Sequence, residues 1–203
     1  MKQLIIIGAR GFGREVYSLA KRSIGYNETF IIKGFLDDQN DLLDGFKNLP
    51  PILSSVEDYK IKPNDVFICA LGAVYWKKYY ASIIQSKGGE FINLVDKTAV
   101  LGDNCRLGKG CIVCAYVIIS NNVNLSDFVS VYPYTAFGHD VQVGNYVHVG
   151  PYCFFGGFTL VEDEAVIHVR TTVFDRIKIG KQAVIGAGMT VRKDVSSNKL
   201  VVR

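Results

Sequence analysis

No apolar run in the 203-residue chain reaches the length that a membrane-spanning helix needs, which argues against a membrane protein. The opening apolar segment Leu4-Ile5-Ile6-Ile7 is cut off by Gly8-Ala9-Arg10-Gly11, too soon for the core of a secretion signal. The expected location is therefore cytoplasmic. Clustered positive charge is also missing: the net charge is +4, with lysine and arginine scattered along the chain, so nucleic acid is not an expected partner. Cysteine is sparse, at five residues, and offers one CxxC pair, Cys111 and Cys114, with no second pair to complete a thiolate metal site. Histidine is sparser still, with only His139, His148 and His168.

What the chain does have is an unbroken period of six. Every sixth residue from Leu101 to Val191 is apolar: Leu101, Leu107, Val113, Ile119, Leu125, Val131, Phe137, Val143, Val149, Phe155, Val161, Ile167, Val173, Ile179, Ile185 and Val191. A helix repeats every 3.6 residues and a simple strand every two, so neither produces this series. Short strands winding round a prism, one strand per side, do produce it. The position four later is small or β-branched (Cys105, Cys111, Val117, Val123, Val129, Thr135), as a narrow interior requires, and this places Cys105, Cys111 and Cys153 in the core rather than at a metal. Glycine often follows the apolar residue, as at Gly102, Gly108, Gly138, Gly144, Gly150 and Gly156, and is expected there to form the tight corner. Three hexapeptides close one coil, so residues 18 apart stack, and the series amounts to about five coils.

Before Leu101 the pattern changes. Residues 4–8 read as a buried strand, followed by the glycine turn Gly8-Ala9-Arg10-Gly11-Phe12-Gly13 and a helix over about residues 14–22. Further strands are predicted at 31–36, ending in Asp37-Asp38, at 66–72 and at 90–95, with a helix over about 74–86. Strands alternating with helices imply a small parallel α/β domain, Rossmann-like in kind. The expected division is residues 1–97 for this domain and 98–203 for the solenoid. The turn after the first strand can hold a phosphate on backbone N–H groups at a helix start. Its GxxGxG spacing is not the GxGxxG of dinucleotide folds, which argues against NAD. Asp37 is placed to accept hydrogen bonds from a ribose or base. The alternative is that the glycines merely let strand and helix pack closely.

In the solenoid, His139 falls on an outward corner beside Asp140, and Gly157 lies 18 residues along, so a glycine backbone stacks against the imidazole. A carboxylate neighbour orients an imidazole and favours its protonated form, which suits a general base, and a nearby glycine N–H could stabilise an oxyanion. The alternative is an exposed turn histidine. His148 lies on another side and either binds ligand or packs between coils; His168 follows inward Ile167 and is expected to be structural. A three-histidine zinc site is disfavoured because the offsets do not contain an HxxxxH pair.

The GAxGxG turn, the Gly-Phe-Leu-Asp-Asp strand end and a hexapeptide solenoid with His-Asp in its middle coils together resemble the bacterial sugar O/N-acetyltransferases. That group includes nucleotide-aminosugar N-acetyltransferases and sialic acid O-acetyltransferase relatives. The resemblance implies a left-handed parallel β-helix behind the Rossmann-like domain, acetyl-CoA as donor, no metal, and a homotrimer with active sites between neighbouring solenoids. It makes His139 the general base and Asp140 its partner. It assigns acetyl-CoA contacts to His148, Gly157, Val169 and Ala187, and nucleotide-sugar contacts to Arg10, Gly11, Phe12, Asp37, Asp38 and Gly72. Two segments depart from the family: Tyr132 and Tyr134 stand where small residues are usual, and Ala73-Val74-Tyr75-Trp76-Lys77-Lys78 replaces the usual polar residue and arginine after the third strand. The expected activity is acetyl transfer to the amino group of a nucleotide-linked aminosugar. The alternatives are O-acetylation of a sugar hydroxyl and a non-catalytic sugar-nucleotide-binding trimer. Exposed apolar side chains at Tyr116, Phe128, Tyr146 and Phe158 are expected to be covered by neighbouring copies.

Overall fold

The structure, a computed structural model, describes residues 1–202. Two compact units divide it, Met1–Leu94 and Val95–Arg203.

In the first unit, five parallel strands form one sheet in the order β3-β2-β1-β4-β5. These are β1 Lys2–Ile7, β2 Phe30–Leu36, β3 Ile52–Ser54, β4 Asp65–Cys69 and β5 Glu90–Phe91, with helices α1 Gly11–Ala20 and α2 Val74–Ser86. The centre of β1 and all of β4 are buried, as their near-continuous apolar runs demand of strands covered on both faces. Helix α1 starts at Gly11, earlier than its apolar pattern suggests, so the last glycines of the turn belong to the helix. Gly8 has φ +97°, and a Cβ on Gly13 would overlap the Gly8 carbonyl oxygen, so helix and strand approach closely only because both are glycine. The short edge strand β3 carries too few residues to show a period and escaped sequence reading.

A polar knot pins the far end of this sheet. Lys33 Nζ donates to Asp65 Oδ1 at 2.5 Å and to the Tyr59 hydroxyl at 2.9 Å, while Tyr59 and the Lys62 N–H both donate to Asp65 Oδ2 at 2.8 Å. Burial alone would raise the Asp65 carboxyl, but these donors outweigh it and hold it below its ordinary value. Burial likewise works against the Lys33 ammonium, and its bonds to Asp65 and Tyr59 reverse that.

The second unit is a left-handed parallel β-helix of two-residue strands on three faces. The faces carry six, five and seven strands. The first runs from Val100–Leu101 to Thr190–Val191, the second from Arg106–Leu107 to Lys178–Ile179 and the third from Leu94–Val95 to Leu200–Val201. Registers are in step, with Ile118↔Ala136 and Ile119↔Phe137 typical, so inward apolar residues lie on one another from coil to coil. From Val113 to Val191 the period-six positions are all buried, and Phe137 stacks on Phe155 at 4.8 Å. In the second inward slot, Thr135, Thr159 and Thr171 donate their hydroxyls to corner carbonyls, and Cys105, Cys111 and Cys153 take the same slot with S–H groups directed at corner carbonyls. All five cysteines are free thiols, which agrees with a packing role.

The corners correct one sequence expectation. The glycines after the inward residue do not make the turn: Gly138, Gly144 and Gly150 have ordinary φ. A Cβ on them would instead press on the Gly157, Asp163 and Val169 amides of the next coil, at 2.9, 2.6 and 2.8 Å, so they are there for close stacking. The left-handed residue comes two positions later, at Asn104, Tyr116, Asn122, Phe128, Tyr134, Asp140, Tyr146, Tyr152 and Phe158. A second correction concerns Phe128, which is 1% exposed. Its ring fills the space left by Gly110 and stacks on Tyr146 at 4.8 Å, whereas Tyr116 and Phe158 do lie open.

Replacing Asp65 by Asn should cost about 3 kcal/mol at pH 7, because Lys33 is left with a neutral partner in a largely dry site. Asp65 contributes its stability fully above its ordinary pKa near 3.8, and loses it as pH falls through the lower folded value. Urea unfolding from pH 7 to pH 2 checks this: the gap between wild type and Asp65→Asn should close in acid.

Candidate active site and nucleotide pocket

His139 and Asp140 sit on the corner between the first and second faces. Asp140 is left-handed at φ 60°, a conformation that Asp tolerates better than most residues, and this turns its carboxylate back onto its neighbour. His139 Nδ1 and Asp140 Oδ2 are 2.7 Å apart. A carboxylate can only accept, so Nδ1 carries a proton, and in the neutral form of the ring the acceptor lone pair is at Nε2. The ring lies against Gly157: a Cβ there would come within 2.8 Å of Cε1 and Nε2. Phe158 meets the imidazole edge-on, with centroids 5.0 Å apart. Among the described residues the Gly157 N–H has no acceptor. An imidazole, the carboxylate that orients it and an available N–H donor are thus brought together by two consecutive coils.

The other solenoid residues expected to bind ligand lie elsewhere. His148 is on the third face, half-buried, its ring 4.9 Å from that of Tyr132. Val169 and Ala187, both exposed, stack on the corner between the third and first faces, beside the Tyr116–Tyr134–Tyr152 ladder, whose rings lie 5.1 and 4.9 Å apart. Within one chain, His148 lies on the third face and Val169 on the corner that follows that face one coil along, and His139 is on a different side of the prism. Among the described residues no three metal-ligating side chains converge.

In the first unit, Arg10, Phe12, Asp37, Asp38 and Gly72 line one cavity of about 460 Å³ at the C-terminal ends of β1, β2 and β4. Parallel sheets place ligands at this end. Gly11 opens α1 beside it. Asp37 is partly committed to the protein: its carboxylate accepts the Ala9 N–H at 2.9 Å and the Gln39 N–H at 3.3 Å, so it shapes the glycine turn. Arg10 donates to Gln39 at 2.8 Å. Two wall residues were not expected as site residues: Trp76, which the sequence showed only as part of a departure from the family pattern, and Tyr80; their rings stack at 5.9 Å on one face of α2. Their spacing of four was the available signal, hidden in a run that holds four aromatic residues. Tyr80 donates to Asp38 Oδ2 at 2.6 Å. Burial, and then the adjacent Asp38, push its phenol well up, which keeps it a donor.

Residues 3–84 match the family model described as the PglD N-terminal domain. No curated protein matches the chain by sequence. Solved structures match it over nearly its whole length. PerB from Caulobacter crescentus, in complex with CoA and GDP-perosamine, aligns with TM-score 0.87 at 22% identity, covering 98% of this chain and 93% of that one. The acetyltransferase domain of PglB from Neisseria gonorrhoeae, in complex with acetyl coenzyme A, gives 0.87 at 22%, covering 98% and 95%. WeeI from Acinetobacter baumannii gives 0.84 at 25%, covering 100% and 97%. The chain thus has the two-part fold of the hexapeptide sugar acetyltransferases that its motifs resemble.

Gly157→Ala should fold, since residue 157 is a corner position facing outward, but it should displace the imidazole. The proton and nitrogen resonances of His139, assigned against a His139→Gln spectrum, should shift while those of His168 stay in place.

Proposed function

We propose that the protein is an acetyl-CoA-dependent acyltransferase that acetylates the amino group of a nucleotide-linked aminosugar. The observation that carries this reading is the His139–Asp140 pair set against Gly157, on a fold shared with acetyltransferases that were solved with CoA. In the proposed reaction the acceptor amine attacks the thioester carbon while His139 Nε2 takes its proton. The carbonyl oxygen gathers negative charge against the Gly157 N–H, and CoA leaves as its thiol when the C–S bond breaks. Asp140 holds the ring in the tautomer that makes Nε2 the base. No covalent enzyme intermediate is needed, which suits a site without a nearby thiol.

Two further features support the reading. The 460 Å³ cavity combines a glycine turn with an apolar and aromatic wall, a pairing suited to a diphosphate and a base. His139 and His148 occupy different sides of one prism, so a site using both draws them from two copies. The exposed ladder Tyr116–Tyr134–Tyr152 and neighbouring Phe154 offer an apolar surface for that assembly, in keeping with a homotrimer in the cytoplasm.

His139→Ala should lower turnover by about 10²–10⁴ in an acetyl-CoA assay with nucleotide-linked aminosugars as acceptors. Retained turnover would remove the base assignment. A product that survives mild alkali is the expected amide; one that does not would shift the acceptor to a hydroxyl. Trp76 is the only tryptophan, so its fluorescence reports on the cavity directly. Titration with the nucleotide-sugar should quench it, and Trp76→Ala should raise the acceptor KM about tenfold with kcat little changed.

A further inference from the structure

The corner that carries His139 contains a hydrogen-bonded column below the catalytic pair. Asn104 Nδ2 donates to Asn122 Oδ1 at 3.2 Å, and Asn122 Nδ2 donates to Asp140 Oδ1 at 3.2 Å. All three residues occupy the left-handed corner position, at φ 59°, 61° and 60°, and are 18 apart, so the stacking of coils aligns their side chains. The direction of the column is fixed by chemistry. Asp140 can only accept, which forces the Asn122 amide nitrogen toward it; the Asn122 oxygen then faces Asn104 and must accept.

We infer that Asn122 is a positioning residue for the proposed transfer: it holds one Asp140 oxygen so that the other stays on His139 Nδ1. Asp140 is partly exposed, and a carboxylate anchored only by its own neighbour would turn toward water. The Asn122 amide supplies the second anchor from the coil below, and Asn104 keeps that amide from flipping. Other charged groups on this corner are Asp103, two coils from His139, Asp175 and Arg176, two coils away on the far side, and Arg192, Lys193 and Asp194 in the last coil. Asp175 and Arg176 pair with each other at 3.7 Å, and Arg176 lies over the Phe158 ring at 4.8 Å. No hydrogen bond or ion pair joins any of these groups to Asp140, so Asn122 is its second anchor.

The inference rests on His139 acting as base, and its test separates the two. Nitrogen-15 spectra of the full-length protein report which ring nitrogen of His139 carries the proton, with no substrate present. Wild type should show one tautomer, protonated at Nδ1. Asn122→Leu and the isosteric Asn122→Asp should both show a tautomer mixture, the first through loss of the donor and the second through repulsion of Asp140. In the transfer assay both should lower kcat about tenfold with KM unchanged. The acid limb of the pH profile should move to lower pH in Asn122→Leu and to higher pH in Asn122→Asp, opposite shifts that general loosening of the fold would not give. A wild-type tautomer in both variants overturns the inference. Full activity of His139→Ala would sink the base assignment, while the tautomer result would still decide what Asn122 does.

Discussion

The in-register stacking of coils is the constraint on which this molecule depends. Each inward residue packs against the equivalent residues 18 before and after it, as Phe137 does against Phe155, and against the inward residues of the other two faces. The same ladder that packs the interior also aligns the corners, where most side chains reach the surface and chemistry is possible. A short aspartate bonded to its own neighbour would be a weak arrangement on a free loop. On this corner the backbone on both sides is tied: the Asp140 N–H donates to the Asn121 carbonyl and the His139 carbonyl accepts from Phe158. Precision at the site is therefore a by-product of core formation, since the hydrogen bonds that close the coils also place the imidazole.

The first unit reaches its site by other means. Its sheet is locked at one end by the Lys33–Tyr59–Asp65 knot, while the other end, where the cavity opens, is held by contacts to the glycine turn. Asp37 holds that turn by accepting two backbone N–H groups, and its carboxylate still has lone pairs to spare. Cys69, fully inside this unit, has its thiol pushed up to about 12 by burial and is inert packing. The reactive potential of the unit lies in what its rim can bind.

Much of this was legible in the sequence. A period of six over so long a run has one structural solution, and the His-Asp dipeptide and the glycine eighteen residues on could be placed on a corner by counting alone. What counting missed has physical causes. A glycine in a repeat suggests a backbone turn, but these relieve contact with the next coil, and only the three-dimensional stack shows which amide they face. Phe128 read as exposed because its position points outward; the hollow that receives it exists only because residue 110, a full coil earlier, lacks a side chain. Trp76 and Tyr80 form a wall through tertiary placement of α2, which no local pattern encodes. Asn104 and Asn122 carry no signal in the sequence, since each side chain meets its partner only in the coil above.

The left-handed corner residue recurs every six positions with side chains as different as Asn, Tyr, Phe, Glu and Arg. Backbone geometry there is evidently set by the coil and not by the residue, so the corners form columns whose chemistry can be rewritten one storey at a time. Length is another matter. Inserting one residue would put every later side chain out of phase, turning valines outward and charges inward, whereas gain or loss of a whole storey would leave the phase intact. Evolution of such a chain is free in composition at its edges and quantised in size.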